Sequence, residues 1–304
     1  MWLILAFLSA ALLGCYDSFK KQALKANAVI PVLFLNTLFS SLIFLPFILC
    51  SPSGILDNTI FHVASGGWEM HKYIVLKALI VLSSWILGYF GMKHLPLTIV
   101  GPINATRPVM VLVGALLVFG ERLNIWQWIG VALAVTSFMM LSRSGKKEGI
   151  DFKHDHWIYM IVGAAALGAL SGLYDKYLMA PVESGGVGLD RMMVQSWYNI
   201  YQCGMMGIVL WLLWWPKHEH TTPFHWSWSI LGVSLFLSAA DFMYFYSLSL
   251  PEAMISIVSM IRRGSVVVSF MFGAMFFHEK NLKAKAVDLA LVLLGMVFLY
   301  IGSR

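Results

Sequence analysis

Residues 29–50 read VIPVLFLNTLFSSLIFLPFILC, a run without one charged side chain. A bilayer core about 30 Å thick is spanned by roughly 20 apolar residues of helix. Hydrocarbon offers no water to exposed N–H and C=O groups, so a spanning segment must satisfy its backbone internally. The run is continuous and does not alternate apolar with polar residues, which selects a helix over a barrel strand. Outward from it, nine more segments carry the same signal: about 2–19, 73–93, 96–119, 123–142, 157–179, 192–215, 226–249, 253–277 and 284–302. The expected fold is therefore all-α: a polytopic membrane protein with ten transmembrane helices.

Composition agrees. Of 304 residues, 59% are hydrophobic and 12% charged, against about 25% charged in a soluble domain. Twelve Trp and eleven Tyr suit membrane–water interfaces. The net charge of +6 is scattered over short loops, a topology signal and not a nucleic-acid footprint. Cys15, Cys50 and Cys203 are odd in number and sit in or beside apolar segments, which argues against a disulfide framework or a metal site. Residues 2–16 lack the basic start of a signal peptide and are kept as the first membrane helix.

The most polar stretch, 143–156, falls at mid-chain and reads as a linker between a first five-helix unit, 1–142, and a second, 157–304. A weak ordered repeat joins the two. Gly14, Tyr16 and Asp17 match Gly172, Tyr174 and Asp175 at a shift of 158. Tyr89, Phe90, Leu95, Pro96 and Arg107 match Tyr244, Phe245, Leu250, Pro251 and Arg262 at a shift of 155, and Glu121 matches Glu279 again at 158. Either the extra residues lie near a helix end, or the arginine match is fortuitous. Five helices per half put the second half upside down in the membrane. This inverted-repeat plan places a solute site between the halves near the midplane.

With these features the chain resembles the EamA family of the drug/metabolite transporter superfamily. The resemblance covers essentially the whole chain. It rests on the two five-helix repeats, on Leu95-Pro96 opening the fourth helix with Arg107-Pro108 in its middle, and on Gly120-Glu121-Arg122-Leu123 followed by Gly130. The second half keeps Leu250-Pro251 and Glu279-Lys280 but departs from the pattern at Arg262-Arg263-Gly264. The resemblance implies carrier-type transport of small metabolites, often export, and names no solute.

An ionisable side chain inside a membrane faces a cavity or a partner. Asp241 sits in an otherwise uncharged segment; it is a coupling or cation-binding candidate, or the partner of Arg262 or Arg263. Arg107 and Arg262 occupy matched mid-helix positions. They bind an anionic solute or pair with Asp17, Asp175 or Asp241. Arg263 points about 100° from Arg262 on a continuous helix, so the two are not expected to share a partner. Asp17 is expected to form a solvated i,i+4 pair with Lys21; with Asp175 it stays a candidate through the repeat. Gln195, Tyr198, Asn199 and Gln202 fall on one face of the seventh helix, and Asn36 with Ser40 on one face of the second. Tyr89, Tyr244 and Trp85 offer rings for stacking on a solute or cation. Glu121 and Glu279 read as helix-junction residues. Gly168 and Gly172, like Ala10 and Gly14, suggest close packing of helix one on helix six. Lys77 and Asp288 are expected to snorkel.

The expected function is secondary transport of small metabolites, such as amino acids or related polar or charged solutes, by alternating access, with export the expected direction and Pro96, Pro108 and Pro251 supplying bends. The alternatives are a flippase for a lipid or lipid-linked sugar, and, in another class, a membrane enzyme or a non-transporting structural partner. No enzyme activity, metal or cofactor is expected; a proton or counter-solute would supply the energy. The expected partners are a small-molecule solute and the lipid bilayer, with no nucleic acid, in a monomer of the bacterial inner membrane. Lysine and arginine counts put both termini outside, whereas the resemblance implies both inside; the orientation stays open between them.

Overall fold

The computed structural model describes residues 2–57, 59–107, 109–110, 124–146, 152–250, 258, 261–276 and 282–302. They form ten α-helices and, among the described residues, no strand. The helices are α1 (Trp2–Ala23), α2 (Val29–Cys50), α3 (Trp68–His94), α4 (Leu97–Ala105), α5 (Ile125–Lys146), α6 (His156–Met179), α7 (Arg191–Val209), α8 (Trp228–Ser249), α9 (Ser265–Phe276) and α10 (Leu282–Gly302). Six of them, α1, α2, α3, α6, α8 and α10, are long and apolar enough to cross a membrane. The chain is a polytopic all-α membrane protein.

Local chemistry sets the helix ends. Pro96 pushes the residue before it out of the helical region, so α3 stops at His94 and Leu95 is extended (φ −108°, ψ 150°). Asp190 caps α7, its carboxylate accepting from the Met193 N–H at 2.9 Å. Asn27 braces the α1–α2 turn. Its amide donates to the Ala23 and His225 carbonyls and its oxygen accepts from the Ala28 and His225 N–H groups.

The packing carries the symmetry. α1 lies along α8 and α6 along α3; α2 packs on α7, α5 on α10 and α4 on α9. Exchanging each helix for its counterpart in the other half maps this pattern onto itself. The expected contact of α1 with α6 is not among the principal packings. The small residues serve other neighbours. Gly14 admits Val268 and the Ser265 carbonyl of the α9 region, and Gly168 admits the Arg107 guanidinium.

The fourth helix of each half is interrupted. α4 ends at Ala105, Thr106 forms a turn with its hydroxyl donating to the Ile103 carbonyl at 2.7 Å, and helical geometry resumes at Arg107. In the second half, residues 261–263 are helical, Gly264 is a turn, and α9 begins at Ser265. Both breaks adjoin the mid-helix arginines. Pro108, Glu121, Pro251 and Glu279 lie outside the described residues.

Candidate functional site

A cavity of about 150 Å³ opens where α1, α3, α4, α6, α8 and the residues before α9 converge. By water-sized volume it holds on the order of ten waters. Its wall includes five basic side chains, Lys20, Lys77, Arg107, Arg262 and Arg263, and three acidic ones, Asp17, Asp175 and Asp241. Helix direction orders them into three levels.

At one end, the last part of α1 supplies Asp17 and Lys20. Their charged atoms lie 3.4 Å apart, and both side chains are largely buried. The Lys20 ammonium also lies 4.6 Å from the ring centre of Tyr16 and 4.9 Å from that of Tyr89. Tyr89 is fully buried beneath it. The expected Asp17–Lys21 pair is thus replaced by Asp17–Lys20. Lys21 reaches across to α3 and donates to the Met92 carbonyl at 2.8 Å and the Leu95 carbonyl at 2.5 Å.

At the other end, the start of α3 supplies Lys77 and the end of α6 supplies Asp175. The two form a direct ion pair between the halves, 3% and 9% exposed. The Lys77 ammonium lies 4.9 Å from the Tyr198 ring and 5.4 Å from the Phe245 ring. Each end of the cavity therefore holds a lysine–aspartate pair with the lysine against two aromatic rings. Lys77 does not snorkel. Asp288 does not either: it is 1% exposed on α10, and its backbone carbonyl accepts from Ser137 of α5 at 2.7 Å.

Between the ends lie the guanidinium groups. Arg262 pairs with Asp241 and lies 4.1 Å from the ring centre of Tyr244. Asp241 also accepts from the Tyr198 hydroxyl at 2.8 Å. Arg107 donates to the Asn104 side chain at 2.9 Å, and its buried Nε has no partner among the described residues. Arg107 and Arg263 have no carboxylate within 4.0 Å among the described residues. Arg263 does not share Asp241, as its angle on the helix indicates, but it does face the same cavity as Arg262.

Of the sequence candidates, Asp17, Trp85, Arg107, Asp175, Tyr198, Asp241, Tyr244 and Arg262 line the cavity. Lys20, Lys77 and Arg263 join them. Asn36, Gln195, Asn199 and Gln202 form a separate buried seam where α2 meets α7 and α8. There Ser41 donates to the Asn199 carbonyl at 2.8 Å, Ser238 to Ser40 at 3.3 Å, and Asn199 to the Gln195 carbonyl at 2.8 Å. Tyr198 leaves this stripe and turns to Asp241.

Compared with known families, residues 1–143 match the model of the EamA-like transporter family. The matched stretch is the first five-helix unit of the chain, a little under half of its residues. A curated relative from Sinorhizobium sp, described as an uncharacterized transporter in the cobO 3'region, is 27% identical over 149 residues. That alignment covers 46% of this chain and 96% of the relative, so a nearly entire relative matches about half of the chain. A crystal structure of a protein covers 99% of this chain and 97% of its own with a TM-score of 0.64 at 12% identity, which shows the shared fold. The EamA-like match over residues 1–143 and the long apolar helices support a multi-pass membrane protein of transporter type.

In the EamA-like half, Arg107 gives a direct test of the site. A β-carbon on Gly168 would lie 2.6 Å from Arg107 Nη1 and 2.7 Å from its Cζ. Those atoms end a flexible side chain, so Gly168→Ala is expected to displace the guanidinium and leave unfolding in detergent within about 1 kcal/mol of wild type. Solute uptake should fall at least about tenfold, the effect of losing one charged hydrogen bond. Unchanged uptake would separate Arg107 from the transport step.

Proposed function

We propose that the protein is a secondary transporter of a small polar or charged solute, moving it by alternating access through the cavity between the halves. The proposed setting is the bacterial inner membrane and the proposed direction export. The observation that carries this reading is the charged cavity between two helices interrupted at matched positions. Irregular backbone at membrane depth is tolerated where it lines a cavity, and matched broken helices mark the solute site of inverted-repeat carriers.

The chemistry follows from the three levels. The two lysine–aspartate pairs with their aromatic rings close the ends. Opening one pair while the other stays closed exposes the centre to one side at a time, and the interrupted helices give the halves points about which to rock. Asp241, held by Arg262 and Tyr198, ties residues 261–263 to α7 and α8 in the middle of this path. Its charge is the group through which proton movement would couple to the rocking.

The test is uptake into sealed proteoliposomes, with and without a pH gradient, by wild type and Asp241→Asn. The panel covers amino acids, nucleosides, organic cations and organic anions. The expected result is gradient-driven uptake that Asp241→Asn reduces at least about tenfold, the neutral amide weakening the tie to Arg262. Uptake of no solute by folded protein would overturn the transport reading. Uptake unchanged in Asp241→Asn would remove Asp241 from coupling.

A further inference from the structure

The cavity carries more positive than negative groups, and the excess is localised. Lys20 has Asp17, Lys77 has Asp175, and Arg262 has Asp241. Arg107 and Arg263 also line the cavity, and neither has a carboxylate within 4.0 Å among the described residues. Arginine remains protonated at any physiological pH and cannot shed its charge as a buried lysine can. A guanidinium at membrane depth requires an anion, a dipole or water. Among the described residues Arg107 takes one hydrogen bond from this supply, to Asn104, and its buried Nε has no partner. The two groups come from opposite halves, each beside the break in its fourth helix. Both face the same cavity.

The geometry points to a small organic anion as the transported solute class, with up to two negative charges on carboxylate or phosphate groups bound by Arg107 and Arg263. The planar guanidinium fork matches the oxygens of either group in two parallel hydrogen bonds. Two such charges neutralise the wall without disturbing the three aspartate pairs. The cavity volume of about 150 Å³ admits a solute of about ten non-hydrogen atoms, and Trp85 and Tyr244 supply apolar wall beside the charges. Unlike the transport reading, which leaves the sign of the solute open, this assigns it; it rests on that reading for the solute's movement but not for its binding.

The experiment therefore measures binding and movement separately on the purified full chain. Binding is followed by calorimetry in detergent, with succinate, glycerol phosphate and inorganic phosphate against alanine and lysine. Movement is followed by uptake of the same labelled compounds into proteoliposomes. At least one of the anions is expected to bind more tightly than alanine and lysine and to be taken up. Arg107→Gln and Arg263→Gln should each weaken its binding roughly ten- to a hundredfold. Arg263→Lys, which keeps a charge at the same place, should recover most of that loss in protein whose helicity and elution volume are unchanged. Binding of inorganic phosphate alone would overturn the assignment to an organic anion. Binding and uptake of alanine or lysine in preference to every anion would overturn the anion inference and leave transport standing. Arginine-dependent anion binding without uptake of any compound would sustain the anion site and overturn transport. Binding of none of the compounds would overturn the inference.

Discussion

Lys77→Met should cost about 3–5 kcal/mol of stability, the usual consequence of leaving one member of a buried ion pair alone. The Asp175 carboxylate would stay in a site 9% exposed with its partner gone. The expected measurement is an earlier thermal unfolding transition in detergent, with most of the loss recovered in Lys77→Met/Asp175→Leu. The recovery follows because a pair replaced on both sides by packed apolar groups is often neutral for stability. The double variant should nonetheless lose uptake, because a hydrophobic contact between α3 and α6 no longer has an ion pair to break and remake. A loss below about 1 kcal/mol in the single variant would mean that the pair is solvated and is no closure.

The second large effect is expected at Gly14. A β-carbon there would stand 2.4 Å from Val268 Cβ, 2.7 Å from its Cγ1 and 2.9 Å from the Ser265 carbonyl oxygen. A β-branched side chain on a helix has little rotamer freedom, and the carbonyl belongs to the backbone, so neither can yield cheaply. Gly14→Ala should cost about 1–3 kcal/mol by overpacking and push α9 away from α1 just after the break at Gly264. The same substitution at Gly168 meets only the end of Arg107. The two variants should therefore separate: lower thermal stability with reduced uptake for Gly14→Ala, reduced uptake alone for Gly168→Ala. Equal stabilities would show that α1 and α9 can move apart freely, and would remove close packing at Gly14 as a constraint.

The apolar runs made the helices legible. Residues 29–50 specify α2 as the structure has it, and the Leu95-Pro96 pair ends α3 where a proline must. The central residues were harder for reasons of geometry. Lys77 read as a segment-end residue because the hydropathy signal begins near residue 73, whereas α3 begins at Trp68 and carries Lys77 deeper. Arg263 was set apart from Arg262 by the angular rule for a continuous helix, and the turn at Gly264 interrupts that helix beside them. In the first half the signal for the break at Thr106 is Pro108, which has no N–H for the Asn104 carbonyl and disfavours helix at Arg107. The choice of Lys20 over Lys21 by Asp17 depends on carbonyls at the end of α3, which are far away in sequence. Periodicity ranks the faces of a helix; it does not say which distant element has already claimed a side chain.

The packing of α2 on α7 and of α5 on α10 has the form of an isologous interface, the kind that relates two copies of one subunit by a twofold axis. Here the two faces belong to one chain, so residues related by exchanging the halves need not be alike. By the repeat spacing Asp241 stands opposite Ile86, Lys77 opposite Gly232, and Arg263 opposite Pro108. A true pair of identical subunits would offer a guest two equivalent poses, head up and head down. In this chain the related side chains differ, so under the proposed transport an asymmetric solute would have one preferred polarity relative to the bilayer, the degeneracy of the backbone being lifted by three side chains.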